Sequence, residues 1–393
     1  MERIPLIKST FYNEEDTKRK LCEFIEGAQF LSMRTECEKF EKAFSKKQER
    51  KYSVFVHNGS CANMLLIQSL INMKVFNQGD KIFVSNLTWP TNVMPLIQLG
   101  LIPVFLDVEL KTLNVSSEIL KNGYKEHPDV KGLFLTNALG FCSDIEKIQE
   151  FCDEKEIVFI EDNCESLGSK YKGKRLGNFG LASTVSFFVG HHLSTIEGGM
   201  ISTDDEELYE RLKMSRSHGW TRNNSDDFKK KMRDENDIDD FYDIYAFYDL
   251  AFNFRPTEIN GFIGNTQIKY WDKIVSKREE NFNAFNDAIK SNNDLIQSNL
   301  EGMDIVSNFG MPLVFKSKKL FEEYKKRFVD NNIEIRPIIA GNIAEQPFMK
   351  DKKCFKTDLK NSEYISENGF YFGNNPEMNE EEITRIINLL SKN

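Results

Sequence analysis

Two adjacent histidines, His191 and His192, lie between two predicted strands in a chain that has five histidines. The apolar run over 181–189 predicts the first strand, and residues 200–203, after a Gly-Gly turn, predict the second. A loop held between two strands fixes its side chains, which suits a catalytic base. Imidazole, with an unperturbed pKa of about 6.5, accepts a proton near neutral pH. The spacing predicts a general base here, and the absence of cysteine or carboxylate at ligand spacing argues against a metal site.

A second group of candidate residues stands where other predicted strands end. Asp162 ends an apolar strand, Trp89 follows another, and Gly59-Ser60 separate a strand from an apolar helix. A Gly-Ser turn at a helix N-terminus is a ready anion site, although helix capping alone also explains it. A lone Asp162 would equally suit the capping of a turn. Taken together, the carboxylate, the aromatic ring and the anion-binding turn predict a pyridoxal-type cofactor, with the carboxylate facing the pyridinium nitrogen.

Strands and helices alternate along the part of the chain that carries these residues. The predicted strands cover 52–56, 81–85, 103–107, 132–136 and 156–162, and the predicted helices include 62–73 and 90–99. Near-continuous apolar strands separated by helices predict an α/β fold with a mixed, mostly parallel sheet and helices on both faces. Ligands of such sheets bind beyond the carboxyl ends of the strands. We therefore expect Asn58, Trp89, Asn137 and Asp162 to converge at one edge of the sheet.

The pattern changes in the second half of the chain. The segment 224–250 is charged without a clear period and is interpreted as an excursion or a partner-contacting loop, and 262–289 predicts a helix. Short strands at 303–306, 312–315 and 333–335, with helices at 319–330 and 379–391, predict a small α+β domain. The predicted organisation is a large domain over 1–265 and a small C-terminal domain over 266–393.

Composition limits the classes of partner. The net charge of −9 argues against nucleic acid or an anionic membrane surface as the main partner. The seven scattered cysteines show no C-x-x-C spacing, which indicates reduced thiols and no zinc or iron–sulfur site. No apolar run approaches the roughly 20 residues of a membrane span, and the first ten residues lack the apolar core of a signal peptide. These features predict a cytoplasmic protein.

With these motifs in place, the chain resembles, along essentially its whole length, the nucleotide-sugar aminotransferase family of DegT/StrS type, which has the aspartate-aminotransferase (fold type I) architecture. The resemblance implies a set of cofactor-binding residues: Gly59, Ser60, Trp89, Asp162, Glu165, Ser186 and Asn253. Gly59 and Ser60 match the phosphate loop, and Ser186 matches the serine that reaches the phosphate. Asn253, in the segment 252–258, matches the asparagine that contacts the phosphate of the partner subunit. The resemblance thus implies a homodimer with shared active sites.

One position departs from the aminotransferase pattern. Six residues before Glu197, where the family carries the lysine that binds the cofactor covalently, this chain has His191, and no lysine occurs between Lys174 and Lys213. Imidazole cannot form that bond, so the cofactor would be held non-covalently. Histidine here marks the 3-dehydratase branch. The similarity to the GDP-4-keto-6-deoxy-D-mannose 3-dehydratases extends to the segments 161–166, 218–223, 336–338, 341–342, 368–369 and 373–374, whereas the clustered cysteines of the related iron–sulfur CDP-sugar dehydratases are missing.

The resemblance implies a specific reaction for the chain. Pyridoxamine 5'-phosphate (PMP) would react with a 4-keto-6-deoxy nucleotide sugar, GDP-linked by preference, and L-glutamate would restore PMP from pyridoxal 5'-phosphate (PLP). His191 would serve first as base and then as acid for the hydroxyl that leaves sugar C3, in dideoxysugar biosynthesis for O-antigen or capsule. His218 would orient substrate or water, or else is a surface histidine. An aminotransferase that uses another lysine, and a non-catalytic homologue, remain open at this point.

Overall fold

The computed structural model describes residues 2–391. Its strands, numbered in chain order, are β1 Tyr52–Val56, β2 Lys81–Ser85, β3 Ile102–Leu106, β4 Gly132–Thr136, β5 Val158–Asp162, β6 Lys170–Tyr171, β7 Lys174–Arg175, β8 Ala182–Ser186, β9 Gly199–Thr203, β10 Met303–Ile305, β11 Gly310–Val314, β12 Ile335–Pro337, β13 Phe355–Lys356 and β14 Gly369–Gly373. The predicted strands at 52–56, 81–85 and 132–136 are confirmed with the same bounds.

The helices complete the alternation. They are α1 Glu14–Gly27, α2 Thr35–Gln48, α3 Gly59–Asn72, α4 Pro90–Gln98, α5 Ser117–Glu126, α6 Ile145–Glu154, α7 Glu206–Arg216, α8 Asp226–Asn236, α9 Asp240–Asp243, α10 Glu258–Gln267, α11 Trp271–Lys290, α12 Lys318–Asp330, α13 Lys360–Asn368 and α14 Glu380–Leu390. Short 3-10 turns occur at Ala138–Gly140, Ile268–Tyr270, Ile343–Glu345 and Pro347–Met349. None of the helices within 2–391 is long and apolar enough to cross a membrane.

The large sheet has the strand order β1-β9-β8-β5-β4-β2-β3-β13. Strand β9 runs antiparallel to both β1 and β8, and the other pairings are parallel. The prediction of a mixed, mostly parallel sheet is therefore confirmed. Because the parallel strands point the same way, the carboxyl ends of β2, β4, β5 and β8 meet at one edge.

Alternating side chains of the strands contribute to three apolar clusters that lie on the two faces of the sheet. In β1, Val54 and Val56 join a core with α3, α4 and α7, while Phe55 packs on the other side against Phe40 of α2. In β2, Phe83 faces a third cluster that includes side chains of α5, α6 and α11. The strands are buried on both faces, which explains why they read as continuous apolar runs.

The C-terminal part forms a three-stranded antiparallel sheet, in the order β11-β14-β12. Two other segments of that part pair elsewhere: β13 extends the large sheet beside β3, and β10 pairs with β6. The strand predicted at 303–306 is present as β10, and it lies against the β6–β7 hairpin instead of joining the small sheet. The division at residue 265 stays a prediction.

Two helical regions differ from their predictions. The segment 224–250, interpreted as an excursion or a partner-contacting loop, contains α8 and α9. Ser225 caps the N-terminus of α8, and its side chain accepts a hydrogen bond from Phe228 N. Strong charge on both faces of α8 hides the period, because only Phe228 and Met232 of this helix are buried. The predicted helix over 262–289 is two helices, α10 and α11, separated by the turn at Ile268–Tyr270.

Candidate active site

A cavity of about 660 Å³ opens at the carboxyl edge of the large sheet. Seven of the residues predicted to form the site line it: Gly59, Ser60, Trp89, Asp162, Glu165, Ser186 and His191. They come from the ends of β5 and β8, the beginnings of α3 and α4, and the loops that follow β5 and β8. The chain fold alone thus brings together residues that are more than 130 positions apart in the sequence.

Asp162 ends β5 on the cavity wall and is buried, at 4% exposure. Its Oδ2 accepts hydrogen bonds from Asn63 Nδ2 at 3.0 Å and Asn92 Nδ2 at 2.8 Å, and its Oδ1 accepts one from Cys164 N at 2.9 Å. Three donors thus fix the orientation of this carboxyl group at the base of the cavity.

The neighbouring carboxylate, Glu161, has a structural task instead. It points away from the cavity and accepts hydrogen bonds from the backbone N–H groups of Gly177, Phe179 and Gly180 at 2.7 to 2.8 Å. It also accepts one from Asn137 Nδ2 at 2.9 Å. Asn137, which was expected to converge with the other strand-end residues, is held here and does not line the cavity.

The beginning of α3 forms a second wall of the cavity. Asn58 caps the helix through its side chain, which accepts a hydrogen bond from Cys61 N at 2.8 Å. The helix therefore starts at Gly59, and the first N–H groups of a helix have no acceptor within it. A Cβ atom at Gly59 would lie 2.7 Å from Ser186 Cβ, so only glycine allows this close approach. The helix terminus and the serine hydroxyl together form a compact anion-binding corner.

His191 lies in the loop after β8 and lines the cavity. Its Nδ1 is 3.4 Å from Ser186 O, a geometry that suits an N–H on Nδ1 and leaves the lone pair on Nε2. Its ring centroid lies 5.6 Å from that of Phe309. Burial lowers the pKa of His191 to about 4, although the hydrogen bond to Ser186 O and the Asp162 carboxylate act in the opposite direction, so the imidazole is neutral at physiological pH. A neutral imidazole is the form that accepts a proton.

His192 is held on the other side of the loop and does not line the cavity. It is buried, with Nε2 2.9 Å from Ser307 O, and burial lowers its pKa well below the usual value. The Arg278 guanidinium fixes the same loop, since its Nη2 donates to His191 O at 3.0 Å. Of the two histidines, His191 is therefore the one that can act on a ligand.

Glu165 stands beside Asp162 in a different environment. Its Oε2 accepts a hydrogen bond from Leu139 N at 2.8 Å. Burial raises the pKa of this carboxyl group to about 8, and the Asp162 charge acts in the same direction. Glu165 is therefore largely protonated at pH 7 and can donate a hydrogen bond.

Replacing Glu165 with glutamine is expected to stabilise the protein at neutral and alkaline pH. The folded-state pKa of about 8 lies above the ordinary glutamate pKa of 4.5, so the unfolded state releases this proton first as the pH rises. Wild-type stability therefore falls between about pH 4.5 and pH 8, and the neutral amide removes that loss. The gain of Glu165→Gln over wild type should be small at pH 4 and reach on the order of 1 kcal/mol or more at pH 8. Thermal denaturation of both proteins across this range measures it, and a pH-independent difference would contradict the assignment.

The presence or absence of a lysine in the cavity distinguishes an aminotransferase from the branch that carries histidine at this position. Among the lining residues within 2–391 there is no lysine, and the position expected to carry one is His191. The model of the DegT/DnrJ/EryC1/StrS aminotransferase family matches residues 12–391. The chain belongs to this family.

Members of this family that resemble the chain over its full length include 3-dehydratases. The chain is 34% identical to the GDP-4-keto-6-deoxy-D-mannose 3-dehydratase of Yersinia pseudotuberculosis over an alignment 405 positions long, which covers 100% of this chain and 99% of that protein. It superimposes with a TM-score of 0.88, at 30% identity, on a GDP-4-keto-6-deoxymannose-3-dehydratase with a trapped PLP-glutamate geminal diamine, over 99% of this chain and 100% of that one. A histidine-to-asparagine variant of such an enzyme with bound GDP-perosamine gives a TM-score of 0.87 at 30% identity, with 99% and 100% coverage.

Two of the residues predicted to form the site of this chain, Asn253 and His218, lie outside its own cavity. Asn253 is exposed, and its Oδ1 accepts a hydrogen bond from Arg255 Nε at 2.8 Å. His218, with Nε2 3.4 Å from Arg255 Nη2, packs its ring 4.9 Å from that of Trp220. Asn253 is exposed and His218 is half-buried, and neither lines the cavity, so their roles toward the cofactor or substrate stay predictions.

Three important residues of the site were missed from the sequence. Asn63 and Asn92 orient Asp162 from α3 and α4, and Arg278 of α11 holds the loop that carries His191. For Asn63 and Asn92, the only signal in the sequence was an asparagine in a helix that follows a predicted strand. No feature of the sequence marked Arg278. Within residues 2–391, no group of three His, Cys, Asp or Glu side chains is arranged to hold a metal ion.

Proposed function

We propose that the chain is a PMP/PLP-dependent 3-dehydratase that removes water from a 4-keto-6-deoxy nucleotide sugar, with GDP-4-keto-6-deoxy-D-mannose as the favoured substrate. The observation that carries the proposal is His191, which lines the cavity where aminotransferases of the family place a lysine. The full-length similarity to the 3-dehydratases, at 34% identity, supports the same reaction. The product would be the 4-keto-3,6-dideoxy sugar nucleotide, a precursor for O-antigen or capsule.

The cavity fits a pyridoxal-type cofactor in three places. The fixed carboxylate of Asp162 suits a protonated ring nitrogen, and Trp89, with 55% of its surface exposed at the cavity wall, offers an aromatic face for stacking. The corner formed by Gly59, Ser60 and Ser186 suits the phosphate. With no lysine in the lining, the cofactor would be held by these contacts alone and not by a covalent bond.

When bound, PMP supplies a primary amine for the sugar ketone and a ring that accepts an electron pair. Asp162 keeps the ring nitrogen protonated, which is what makes the ring electron-withdrawing. His191 accepts a proton at Nε2 and, as an imidazolium, can donate it to the hydroxyl that leaves sugar C3. Arg278, through His191 O, keeps the loop in the position that this transfer requires. Hydrolysis by water would then release the nitrogen of the product as ammonia, and L-glutamate would supply the amine for the next turnover.

The reaction is tested by incubating the protein with PLP, L-glutamate and a panel of 4-keto-6-deoxy sugar nucleotides. With GDP-4-keto-6-deoxy-D-mannose we expect a product that has hydrogen in place of the C3 hydroxyl, so that it is lighter by one oxygen atom, together with ammonia and the 2-oxo acid of glutamate. Mass spectrometry and an ammonia assay detect them. A product that keeps the C3 hydroxyl and gains an amine would instead identify an aminotransferase. Borohydride treatment of the PLP form provides the control, because a reduced cofactor–lysine adduct would contradict non-covalent binding.

The active enzyme is further proposed to be a cytoplasmic homodimer whose two sites each use residues of both subunits. Asn253 is exposed, His218 is half-buried, and neither lines its own cavity. The segment that precedes Asn253 exposes Phe241, Tyr245 and Leu250 at 73% to 78%. Several large apolar side chains exposed within ten residues suit an interaction site. Burial against a second copy would cover it.

Subunit complementation tests the shared site. The variants His191→Asn and Asn253→Ala should each have little activity alone, because each lacks a different component of every site. In mixed dimers one of the two sites receives His191 and Asn253 intact, so random 1:1 assembly should recover about a quarter of wild-type activity. Co-expression with two affinity tags and steady-state assays measure it. Recovery of no activity, or a monomeric protein with full turnover in sedimentation, would rule out shared sites.

A further inference from the structure

A second cavity, of about 900 Å³, lies along the free edge of the large sheet. Strand β1 forms that edge, and α2 and α7 pack on its opposite faces. We call this cavity the edge groove. It is lined mainly by residues 33–46 of α2 and the preceding loop, 50–53 at the beginning of β1, and 209–216 of α7. Among residues 2–391, none lines both the edge groove and the active-site cavity, which lies at the other end of β1.

Basic side chains dominate the edge groove. Its lining includes seven lysine and arginine residues and only two acidic residues, Glu38 and Glu41. The chain as a whole has a net charge of −9, so the groove carries the opposite charge to the rest of the protein. Three of the seven cations are held in ion pairs: Arg216 with Glu41, Arg50 with Asp204 and Lys213 with Glu210. These pairs neutralise less than half of the positive charge of the groove.

The other four cations of the groove, Arg34, Lys42, Lys46 and Lys51, form no ion pair within residues 2–391. Lys42 and Lys46 are one turn apart and therefore stand on the same face of α2. Unpaired charges of one sign repel each other, and a concave site concentrates their potential. An anion bound between them removes the repulsion. The edge groove thus has the charge distribution of an anion-binding site.

Two buried arginines give the base of the groove a fixed positive charge. The side chains of Arg50 and Arg216 are 6% and 4% exposed. Arg216 Nη1 donates to Phe55 O at 2.7 Å, and Arg50 Nη2 donates to Gly177 O at 3.0 Å. Within the described part of the chain, the Nε atoms of both arginines have no hydrogen-bond partner. The backbone therefore holds these cations in place, and lysines on mobile stems surround them.

A pair of tyrosines adds an aromatic surface to the groove. The rings of Tyr52 and Tyr209 both line it, and they stack with centroids 4.5 Å apart and planes at 13°. Lys213 Nζ lies 4.7 Å from the centroid of the Tyr209 ring. Nucleobases stack on aromatic side chains, and phosphates bind lysine and arginine. A volume of about 900 Å³ is in the range of small-molecule sites. The combination suits a nucleotide better than a simple anion.

We propose that the edge groove binds a nucleoside polyphosphate, with its phosphates among Lys42, Lys46 and Lys51 and its base against the tyrosine pair. The proposal does not depend on the function proposed for the active-site cavity. A nucleotide in the groove contacts α2, β1 and α7 and none of the residues assigned to the cofactor. The groove is therefore a separate ligand site and not an extension of the site for the sugar nucleotide.

Binding of ATP to the cofactor-loaded protein tests the site, because ATP lacks the guanine base of the favoured substrate. Calorimetric titration should give the same Kd for wild type and Lys47→Gln. The double variant Lys42→Gln/Lys46→Gln, which changes two exposed lysines, should raise the Kd at least about 10-fold, because charge-assisted hydrogen bonds are lost. Lys47→Gln is the matched control, since Lys47 is adjacent on α2 but pairs with Asp272 and does not line the groove. Equal Kd values in all three proteins, or no binding at millimolar ATP, would overturn the proposal.

Comparison of ATP with inorganic triphosphate tests the contact to the base. Tyr52→Val should raise the Kd for ATP about 10-fold, the usual effect of losing one base–aromatic stack, and should leave the Kd for triphosphate unchanged. A variant that binds ATP as tightly as wild type does, or that weakens both ligands by the same factor, would overturn the assignment to a nucleotide.

Trp89→Ala locates the bound ATP, because Trp89 lines the active-site cavity and not the edge groove. The Kd for ATP should be the same in this variant as in wild type. An ATP affinity that falls in Trp89→Ala and is retained in Lys42→Gln/Lys46→Gln would place the nucleotide in the active-site cavity and overturn the proposal.

Discussion

Replacement of His191 with asparagine is expected to abolish dehydration while the protein still folds and binds its cofactor. Asparagine has a similar volume and keeps a polar group near Ser186 O, but it cannot accept and return a proton. General acid–base catalysis contributes about 10²- to 10⁴-fold, and here one group would serve in both directions, so a loss at the upper end of that range is expected. Because burial lowers the pKa of His191 to about 4, the wild-type imidazole is already neutral at pH 7. The ratio of wild-type to variant rates should therefore be constant from pH 6 to pH 8.

His192→Asn is the matched control for this result. His192 is adjacent in sequence, buried and bonded to Ser307 O, and it does not line the cavity. Its replacement should lower the Tm, since it disturbs a buried hydrogen bond, but should leave single-turnover dehydration within a few-fold of wild type. The measurement is stopped-flow or quenched-flow dehydration by PMP-loaded protein. If His192→Asn lost dehydration and His191→Asn retained it, the catalytic role would belong to the neighbour.

A large share of the site was predictable because it depends on local sequence and on the order of strands. Asp162, Trp89 and Gly59 each follow or end a buried strand, and parallel strands bring such positions to one edge without any knowledge of side-chain packing. The family resemblance added Ser186 and the distinction between His191 and a lysine. These inferences use the backbone path of β1 to β8 alone.

The rest depended on contacts between elements that are distant in sequence. Arg278 reaches His191 O from a helix 87 positions later, and nothing in the pattern of α11 marks that residue. Arg336 lines the cavity only because β12 pairs with β14 and turns Tyr371 to the same side. Likewise, β10 joins β6 rather than the small sheet, since the partner of a three-residue strand is set by packing and not by its own composition. Side-chain partners of this kind require the folded structure.

Replacement of Asp162 with asparagine is expected to slow both half-reactions by about 10²- to 10³-fold, the usual effect of removing one preorganised electrostatic group. A neutral amide cannot keep the ring nitrogen protonated, so the electron pair released at proton transfer to His191 has no stable place to go. Dehydration and glutamate-driven regeneration need the same protonated ring, which is why both should slow together. A variant that lost only substrate binding would slow one of them.

The hydrogen bonds around Asp162 must be separated from its charge. Asn63 and Asn92 both donate a hydrogen bond to Oδ2 of Asp162. In Asp162→Asn an NH₂ group at that position would face these two donors and could not accept their hydrogen bonds. Asn92→Ala removes one donor and leaves the carboxylate, so it serves as the control: it should lower the Tm by an amount similar to Asp162→Asn but slow each half-reaction by no more than about 10-fold. Thermal denaturation and single-turnover spectra of PLP and PMP measure both effects. An Asp162→Asn enzyme no slower than Asn92→Ala would mean that hydrogen bonding, and not the negative charge beside the ring nitrogen, accounts for the role of this strand end.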